Sequence, residues 1–224
     1  MSAAITKLSA ADLPRFIDYT LLKPEATAQQ IEKLCTEARA HGFSSVCVNG
    51  ARVELARHCL EDSPVKVATV VGFPLGAMSS DAKRYETEAA IDDGAQEIDA
   101  VLNIGRLKDG DNRSVLRELR DIVEAADERT VKVILETCLL TDEEKVRACK
   151  LVVESGAHFV KTSTGFSTGG ATLDDVKLLR ATVGPAFGVK AAGGIRTAAA
   201  ALAMIEAGAT RLGVSTNLAS EGRR

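Results

Sequence analysis

Two lysines lie inside apolar segments where buried strands are expected. They are Lys161 in FVKTST and Lys190 in GVKAAG. Lysine is almost never fully buried unless it is paired or functional, so the pair indicates a reactive site. A neighbouring cation and a dry pocket both lower the pKa of an ammonium group from about 10.4, and the neutral amine can then attack a carbonyl and form an imine. The alternative is that both stems pack while the ammonium groups point outward into water.

Four further polar residues fall in the predicted strands. Asp99, in EIDAVLN, is expected to pair with Lys190 and pass protons through a water, or to be only a salt-bridge partner. Asp18 is expected to orient its neighbours rather than to react. Cys47 is interpreted first as a small core residue, then as part of a pocket wall, and least as a nucleophile. Lys132, near the start of its strand, is either a structural ion-pair partner or a support for the catalytic groups.

A repeated pattern of helices and strands would bring these residues together. Four amphipathic stretches end in glycine and are followed by β-branched runs; the glycines are Gly42, Gly94, Gly156 and Gly208. Their intervals of 52, 62 and 52 residues fit two βα units each, and the missing alternate strands are found at 66–74, 131–137 and 187–195. With IDYTLL (17–22), eight strands are predicted, and helices are predicted over 27–40, 50–61, 79–93, 112–127, 141–154, 172–182 and 197–207.

Eight short Val- and Ile-rich strands without clean alternation, separated by helices, predict a (β/α)8 barrel. We expect this α/β fold to be a TIM barrel with a short extra N-terminal helix in LSAADLPRF (8–16), and one domain over residues 1–224. An open, doubly wound parallel sheet is the alternative, although no GxGxxG opens its first helices. In a barrel, chemistry is located at the carboxyl ends of the strands, where we place Lys161, Lys190 and Asp99.

Composition and charge restrict the classes of function. The 224 residues carry a formal net charge of −3 and a pI near 5.7, which gives no reason to expect nucleic acid or an acidic membrane as a partner. Five cysteines, an odd number without CxxC, argue against disulfides and a zinc site and favour a reducing compartment. Because the sequence has neither a signal-peptide core nor an apolar run of membrane-spanning length, we expect a cytoplasmic protein.

Glycine and hydroxyl residues cluster after the last three predicted strands, in STGFSTGG, AAGGIRT and LGVSTN. Gly193 and Gly194 precede a helix whose predicted N-cap is Thr197, so backbone N–H groups would face an anion. Barrels of this kind often hold phosphate between strands seven and eight. The pattern therefore predicts a phosphate site near the two lysines.

Five motifs together resemble the deoxyribose-phosphate aldolase family: IDYTLLKPEAT, EIDAVLNIG, VKVILET, FVKTSTGF and VKAAGGIRT, in order along nearly the whole chain. The resemblance implies a class I aldolase that reversibly cleaves 2-deoxy-D-ribose 5-phosphate to acetaldehyde and D-glyceraldehyde 3-phosphate, with no metal and no cofactor. It implies that Lys161 forms the Schiff base, that Lys190 tunes the pKa and transfers protons, and that Asp99 relays protons. The implied phosphate contacts are Gly165, Gly193, Gly194, Ser215 and Thr216.

Three features depart from the family pattern, the first being GVST (213–216), where two serines are common and Thr keeps the hydroxyl. Phe166 follows KTSTG where some members have a lysine, and no tyrosine follows Tyr85, so we expect no phenol of a C-terminal tail to deliver protons. Two rival functions stay open. One is another phosphate-binding barrel enzyme, such as an isomerase or a different imine-forming aldolase; the other is a sugar-phosphate sensor without chemistry. The expected partners are a sugar phosphate and aldehydes, and a homodimer and a homotetramer both fit the sequence.

Overall fold

The strands form a closed barrel. In the computed structural model, which describes residues 8–215, eight parallel strands pair in chain order and the last pairs with the first. The strands are β1 (Ile17–Leu21), β2 (Ser45–Val48), β3 (Lys66–Val71), β4 (Glu97–Val101), β5 (Thr130–Ile134), β6 (Phe159–Lys161), β7 (Gly188–Ala192) and β8 (Arg211–Val214). This confirms the predicted (β/α)8 barrel, and the closure excludes the open doubly wound sheet.

Helices follow the strands around the barrel. They are α1 (Ala28–His41), α2 (Val53–Cys59), α3 (Ser80–Asp92), α4 (Ile104–Lys108), α5 (Asn112–Ala125), α6 (Asp142–Ser155), α7 (Leu173–Val183) and α8 (Ala198–Glu206). Five of them, α1, α3, α6, α7 and α8, begin after a Ser or Thr whose hydroxyl accepts a hydrogen bond from the third helical N–H. The seven predicted helices are all present. Helix α4 was not predicted, because five residues are too few to display a helical period.

The first described element is a short 3-10 helix, Ala10–Phe16, in which Leu13 is buried. It contacts α8 and leads directly into β1, so the extra N-terminal helix is confirmed. Between residues 8 and 215, no helix combines the length and the apolar character needed to cross a membrane.

The buried apolar residues form two separate groups. The larger one lies between the strands and the surrounding helices, with members such as Val46 on β2 and Ile31 on α1. The smaller one contains Leu22, Cys47, Ala68 and Val70, with Phe73 packed against it. This small group lies on the first three strands and their ends. Other strand positions in the interior carry charged side chains, such as Asp99 and Lys161, beside the apolar Val101 and Ile134.

The register of the sheet places those charged residues at matched heights. Lys161 is opposite Lys190 in the pairing of β6 with β7, and Asp99 is opposite Lys132 in the pairing of β4 with β5. Successive side chains of a strand point to opposite faces, so residues that face the interior at matched positions of neighbouring strands come close together. The barrel therefore concentrates lysines and carboxylates from distant parts of the chain in one small volume.

Candidate active site

Asp99 is the centre of the charged cluster inside the barrel. Its Oδ2 accepts hydrogen bonds from Nζ of Lys161 and from Nζ of Lys190, each at 2.7 Å. Its Oδ1 accepts one from Nζ of Lys132 at 2.7 Å. All four side chains are buried, and Lys161, with 3% exposure, is the one that retains some contact with solvent. The structure thus brings the two lysines and the aspartate singled out in the sequence into direct contact.

Asp18 holds the other side of Lys190. Its Oδ2 accepts a hydrogen bond from Nζ of Lys190, while its Oδ1 accepts bonds from Ser45 Oγ at 2.7 Å and from Arg211 Nη1 at 2.6 Å. Lys132 Nζ lies 3.8 Å from the same carboxylate. Asp18 therefore contacts three cations, and its expected role of orienting its neighbours stays a prediction.

Two members of the cluster, Glu97 and Arg211, were not predicted. Glu97 Oε2 lies 2.6 Å from Lys132 Nζ, and Arg211 bridges Glu97 and Asp18. The signal for Glu97 was present in EIDAV, because residues two apart on a strand face the same side, which places Glu97 and Asp99 together. For Arg211 the sequence offers only a charged residue at the start of a strand.

The charges of this cluster do not balance if every group is ionised. Leaving aside Lys66, whose half-exposed side chain lies 3.7 Å from Glu97, the cations are Lys132, Lys161, Lys190 and Arg211, and the carboxylates are Asp18, Glu97 and Asp99. The cluster is enclosed by the barrel, where an uncompensated charge is costly. One neutral amine would make the cations equal in number to the carboxylates.

Lys161 is the lysine of the cluster on which the electrostatics favour neutrality. Burial lowers its pKa below the ordinary value; the negative charge of Asp99 opposes this effect, and the positive charge of Lys190 adds to it. Of the two causes expected from the sequence, a dry pocket and a neighbouring cation, burial is the larger. The positive charge of Lys190 lowers the pKa of Lys161, which is the direction expected from the sequence.

The pKa values of Lys190 and Lys132 are both raised, in the opposite direction to that of Lys161. Burial alone would lower the pKa of Lys190, but the carboxylates of Asp18 and Asp99 raise it well above the ordinary value. For Lys132, burial is likewise outweighed, chiefly by Asp99, and the pKa is raised. The pKa of Asp99 is held well below its usual range because three lysines together outweigh the effect of its burial. These groups stay charged while Lys161 is the amine most easily deprotonated.

Cys47 lies beside the charged cluster but takes no part in its hydrogen bonds. It is fully buried and packs with Leu22, Ala68 and Val70. Burial raises the pKa of its thiol to about 11, with a further contribution from the charge of Asp99. A protonated, apolar-packed thiol fits a core or pocket-wall residue better than a nucleophile.

The glycine-rich ends of β6 and β7 approach each other closely. Gly165, Gly193 and Gly194 have φ of 82°, 90° and 81°, a conformation that favours glycine. A Cβ on Gly193 would lie 3.0 Å from Cα of Gly170, and Ala171 N donates to Gly193 O at 3.1 Å. Ser215 directly follows β8. The other predicted contact, Thr216, lies outside the described residues.

No cluster of three or more His, Cys, Asp or Glu side chains suited to a metal ion occurs in the described range 8–215. The polar groups described above for the site are amines, carboxylates and the backbone amides of the glycine-rich loops. A buried neutral amine beside a carboxylate that already contacts two other ammonium groups can attack a carbonyl and exchange protons with its neighbours.

Comparison with known proteins identifies the family. A model of the DeoC/LacD family aldolases matches residues 15–220. The chain belongs to the DeoC/LacD aldolase family. A protein of Alkaliphilus oremlandii named deoxyribose-phosphate aldolase is 58% identical over 208 residues, which cover 92% of this chain and 94% of that protein. One of the same name from Clostridium perfringens is 57% identical, with coverage of 92% and 93%.

A solved structure agrees with the family assignment. The deoxyribose phosphate aldolase of Aeropyrum pernix, described as having a unique tetrameric structure, superposes with a TM-score of 0.88 at 34% identity. The superposition covers 96% of this chain and 91% of that one. The likeness extends over the whole barrel, including the strands that carry the buried lysines and carboxylates.

Proposed function

We propose that this family member is a class I aldolase that reversibly cleaves 2-deoxy-D-ribose 5-phosphate to acetaldehyde and D-glyceraldehyde 3-phosphate. The names of the relatives support the substrate. One structural observation carries the chemistry: Lys161 is the lysine of the central cluster whose pKa is lowered, while its neighbours Lys132 and Lys190 have raised values. The reaction therefore begins at Lys161 Nζ.

The first half of the reaction forms an imine. The lone pair of neutral Lys161 Nζ attacks the aldehyde carbon C1 of the open-chain sugar, and the carbonyl oxygen takes up a proton. Loss of water from this carbinolamine gives a protonated imine. Lys190 is the proton source with the best position, because its Nζ and that of Lys161 contact the same oxygen of Asp99.

The second half breaks the carbon–carbon bond. The protonated imine accepts the electron pair of the C2–C3 bond as the C3 hydroxyl loses its proton, so glyceraldehyde 3-phosphate leaves and an enamine remains. A proton delivered through Asp99, Lys190 and a water then adds to C2. Addition of water to the resulting imine releases acetaldehyde and restores the amine of Lys161.

The remaining cluster residues hold these groups in place. In this proposal Asp18 and Lys132 do not touch the substrate; together with Glu97 and Arg211 they keep the charges around Asp99 fixed. Cys47 forms part of the apolar wall of the pocket. Prearranged charges need no reorganisation when an iminium cation forms, which lowers the barrier.

The far end of the substrate is bound by backbone amides. We assign the phosphate to Gly165, Gly193, Gly194, Ser215 and Thr216; of these, Gly165 and Gly193 come from the loops after β6 and β7, which lie against each other. Anchoring the phosphate fixes the distance between C1 and Lys161, and such positioning supplies part of the rate enhancement.

Borohydride trapping tests the nucleophile. The protein is incubated with acetaldehyde, reduced with sodium borohydride, digested and analysed by mass spectrometry. We expect the reduced ethyl adduct on the peptide that contains Lys161. The Lys190→Met variant serves as the matched control, since it keeps Lys161 and should still form the adduct. An adduct on another lysine, or none in the native protein, contradicts the proposal.

Two alternatives are separated by simple assays. A different phosphate-binding aldolase or isomerase would show no condensation of acetaldehyde with glyceraldehyde 3-phosphate. A sensor would bind the sugar phosphate without turnover, and its binding would survive Lys161→Ala. The presence of the amine, the second cation and the carboxylate in contact favours the enzyme over the sensor.

We further propose a cytoplasmic homo-oligomer consisting of one domain over residues 1–224. The five cysteines are all free, which fits a reducing compartment. The tetramer described for the Aeropyrum pernix aldolase and the exposed side chains of Leu75 and Tyr85 support assembly of two or four copies. Light scattering coupled to size-exclusion chromatography distinguishes a dimer, a tetramer and a monomer.

A further inference from the structure

Glu136 is a buried carboxylate that the reaction proposed above does not use. It follows β5, and its side chain is 2% exposed. Its backbone has φ 56° and ψ 64°, the left-handed conformation that is unfavourable for a residue other than glycine. Strained backbone of this kind persists only where the surroundings enforce it, and it occurs preferentially at functional sites.

The surroundings that enforce this conformation belong to the loop after β6. Glu136 Oε1 accepts a hydrogen bond from Thr164 N at 3.2 Å, and Oε2 accepts one from Thr164 Oγ1. Thr164 Oγ1 in turn accepts a bond from Phe166 N at 3.0 Å. One carboxylate thus fixes a side chain and two backbone amides of the same loop, and bonds to a charged acceptor are stronger than neutral ones.

This anchoring lies between the reactive lysine and the phosphate loop. Lys161 is three residues before Thr164, and Gly165, an assigned phosphate contact, comes directly after it. A second bond, from Thr137 N to Thr162 O at 2.9 Å, joins the same two segments. Among residues 8–215 no lysine or arginine is ion-paired with Glu136, so it stands apart from the charged cluster around Asp99.

We propose that Glu136 is a positioning residue for the phosphate of the substrate, acting through Thr164. Its carboxylate holds the 164–166 turn so that the amide of Gly165 faces the phosphate group. This inference rests on the function proposed above. It predicts that loss of Glu136 weakens binding of a phosphorylated sugar selectively, while chemistry at Lys161 continues.

The test compares two substrates in steady-state kinetics. For Glu136→Ala we expect KM for 2-deoxyribose 5-phosphate to rise about tenfold or more, since a charge-assisted anchor is lost. For unphosphorylated 2-deoxyribose, kcat/KM should change by less than about threefold. Loss of a hydrogen bond to the bound substrate would cause a larger change than this. Glu136→Gln, which keeps one carbonyl acceptor for Thr164 N, should restore part of the loss. A purely structural role would affect both substrates alike.

Variants of Thr164 test the route of the effect. Thr164→Val removes the hydroxyl at nearly constant volume, and Thr164→Ser retains it. If Glu136 acts through Thr164, the Glu136→Ala/Thr164→Val double variant should raise KM no more than the worse single variant does. Additive effects would overturn the route. Glu143→Ala, which removes an exposed carboxylate at the start of α6, is the control for charge alone and should leave KM unchanged.

The outcomes keep the two proposals separate. Equal losses on both substrates, or no selective change in any Glu136 or Thr164 variant, overturn the positioning role even if native protein is trapped at Lys161. Failure of trapping in native protein overturns the aldolase mechanism instead. If Glu136→Ala does not fold, the Gln, Val and Ser variants carry the test by the same ratio of substrates.

Discussion

The protein buries lysines in two different ways, one at Lys83 and one at Lys161. Lys83, on α3, donates to Glu118 Oε1 on α5 at 2.6 Å and to the carbonyl of Val101 at 2.8 Å. Lys161 Nζ donates to Asp99 Oδ2, and Lys190 Nζ donates to the same oxygen. Burial is the largest cause of a lowered pKa at both lysines, so the direction of the pKa shift alone does not distinguish them.

The two lysines differ in whether other cations share their carboxylate. Lys83 has a carboxylate and a carbonyl, and the helices around it exclude an incoming substrate. Lys161 has a carboxylate that two other lysines also use, and it is the slightly exposed member of its cluster. We therefore propose that Lys83 is structural, because it has a carboxylate to itself, and that Lys161 is reactive, because it shares its carboxylate and one side remains open.

Replacing Lys161 tests the reactive side of this comparison. Lys161→Met should lower kcat for the cleavage reaction on the order of 10⁴-fold or more, because the nucleophile is lost. Its free energy of unfolding should change by less than about 2 kcal/mol, since Asp99 keeps Lys132 and Lys190 as partners. A coupled assay of glyceraldehyde 3-phosphate and urea denaturation measure the two quantities. Retained activity would remove Lys161 from the mechanism.

Replacing Lys83 should give the reverse result. Lys83→Met leaves the carboxylate of Glu118 buried without a cation, which we expect to reduce the free energy of unfolding by about 3–5 kcal/mol. The kcat of the folded fraction should be unchanged. Lys83→Met combined with Glu118→Leu should recover most of the loss, because neither charge is then buried alone. A large drop in kcat with intact stability would show that the two sites are not distinct.

The pH dependence should shift in opposite directions in two variants of the reactive cluster. Imine formation needs neutral Lys161, so its rate falls as pH falls through the pKa of this group. Asp99 raises that pKa and Lys190 lowers it. The midpoint should therefore move to lower pH in Asp99→Asn and to higher pH in Lys190→Met. Rates of borohydride-trapped adduct formation give the midpoints, and shifts of the same sign would contradict this electrostatic account.

The smallest effect is expected next to Lys83 on the same helix. Arg84 forms ion pairs with Glu88 at 3.0 Å and Glu124 at 3.3 Å, but its side chain is 37% exposed. Arg84→Ala should change the free energy of unfolding by less than about 1 kcal/mol, because water screens such pairs. The free energies of unfolding of Arg84→Ala and Lys83→Met are measured under the same conditions by thermal and urea denaturation. The difference between the two losses of stability shows how much burial strengthens an ion pair.

Much of the fold was predictable because its signals are local. The glycines that follow four of the helices, the capping Thr or Ser and the Val-rich strands lie within short windows, and together they predicted eight strands and seven of the described helices. Helix α4 lacked enough residues to show a period. For the site, the unusual positions of Lys161 and Lys190 in apolar runs were sufficient to select the two lysines to which we assign the imine chemistry.

The contacts of the site that the sequence did not predict join segments that are far apart in the chain. Asp18 and Arg211 are in contact although 193 residues separate them. Glu136 and Thr164 meet only because the segments after β5 and β6 lie side by side. No local pattern reports such contacts, since they depend on strand register and on closure of the barrel.

By itself, the sequence determined which chemical groups are available and which elements carry them, since side-chain type and helix or strand period are properties of short segments. The tertiary structure alone decided how the charges are shared. It placed three lysines around one carboxylate, added Glu97 and Arg211 to the charges around it, and set Glu136 against the loop after β6. Which amine becomes neutral depends on burial and on distances between charges, and both quantities exist only after the barrel has closed.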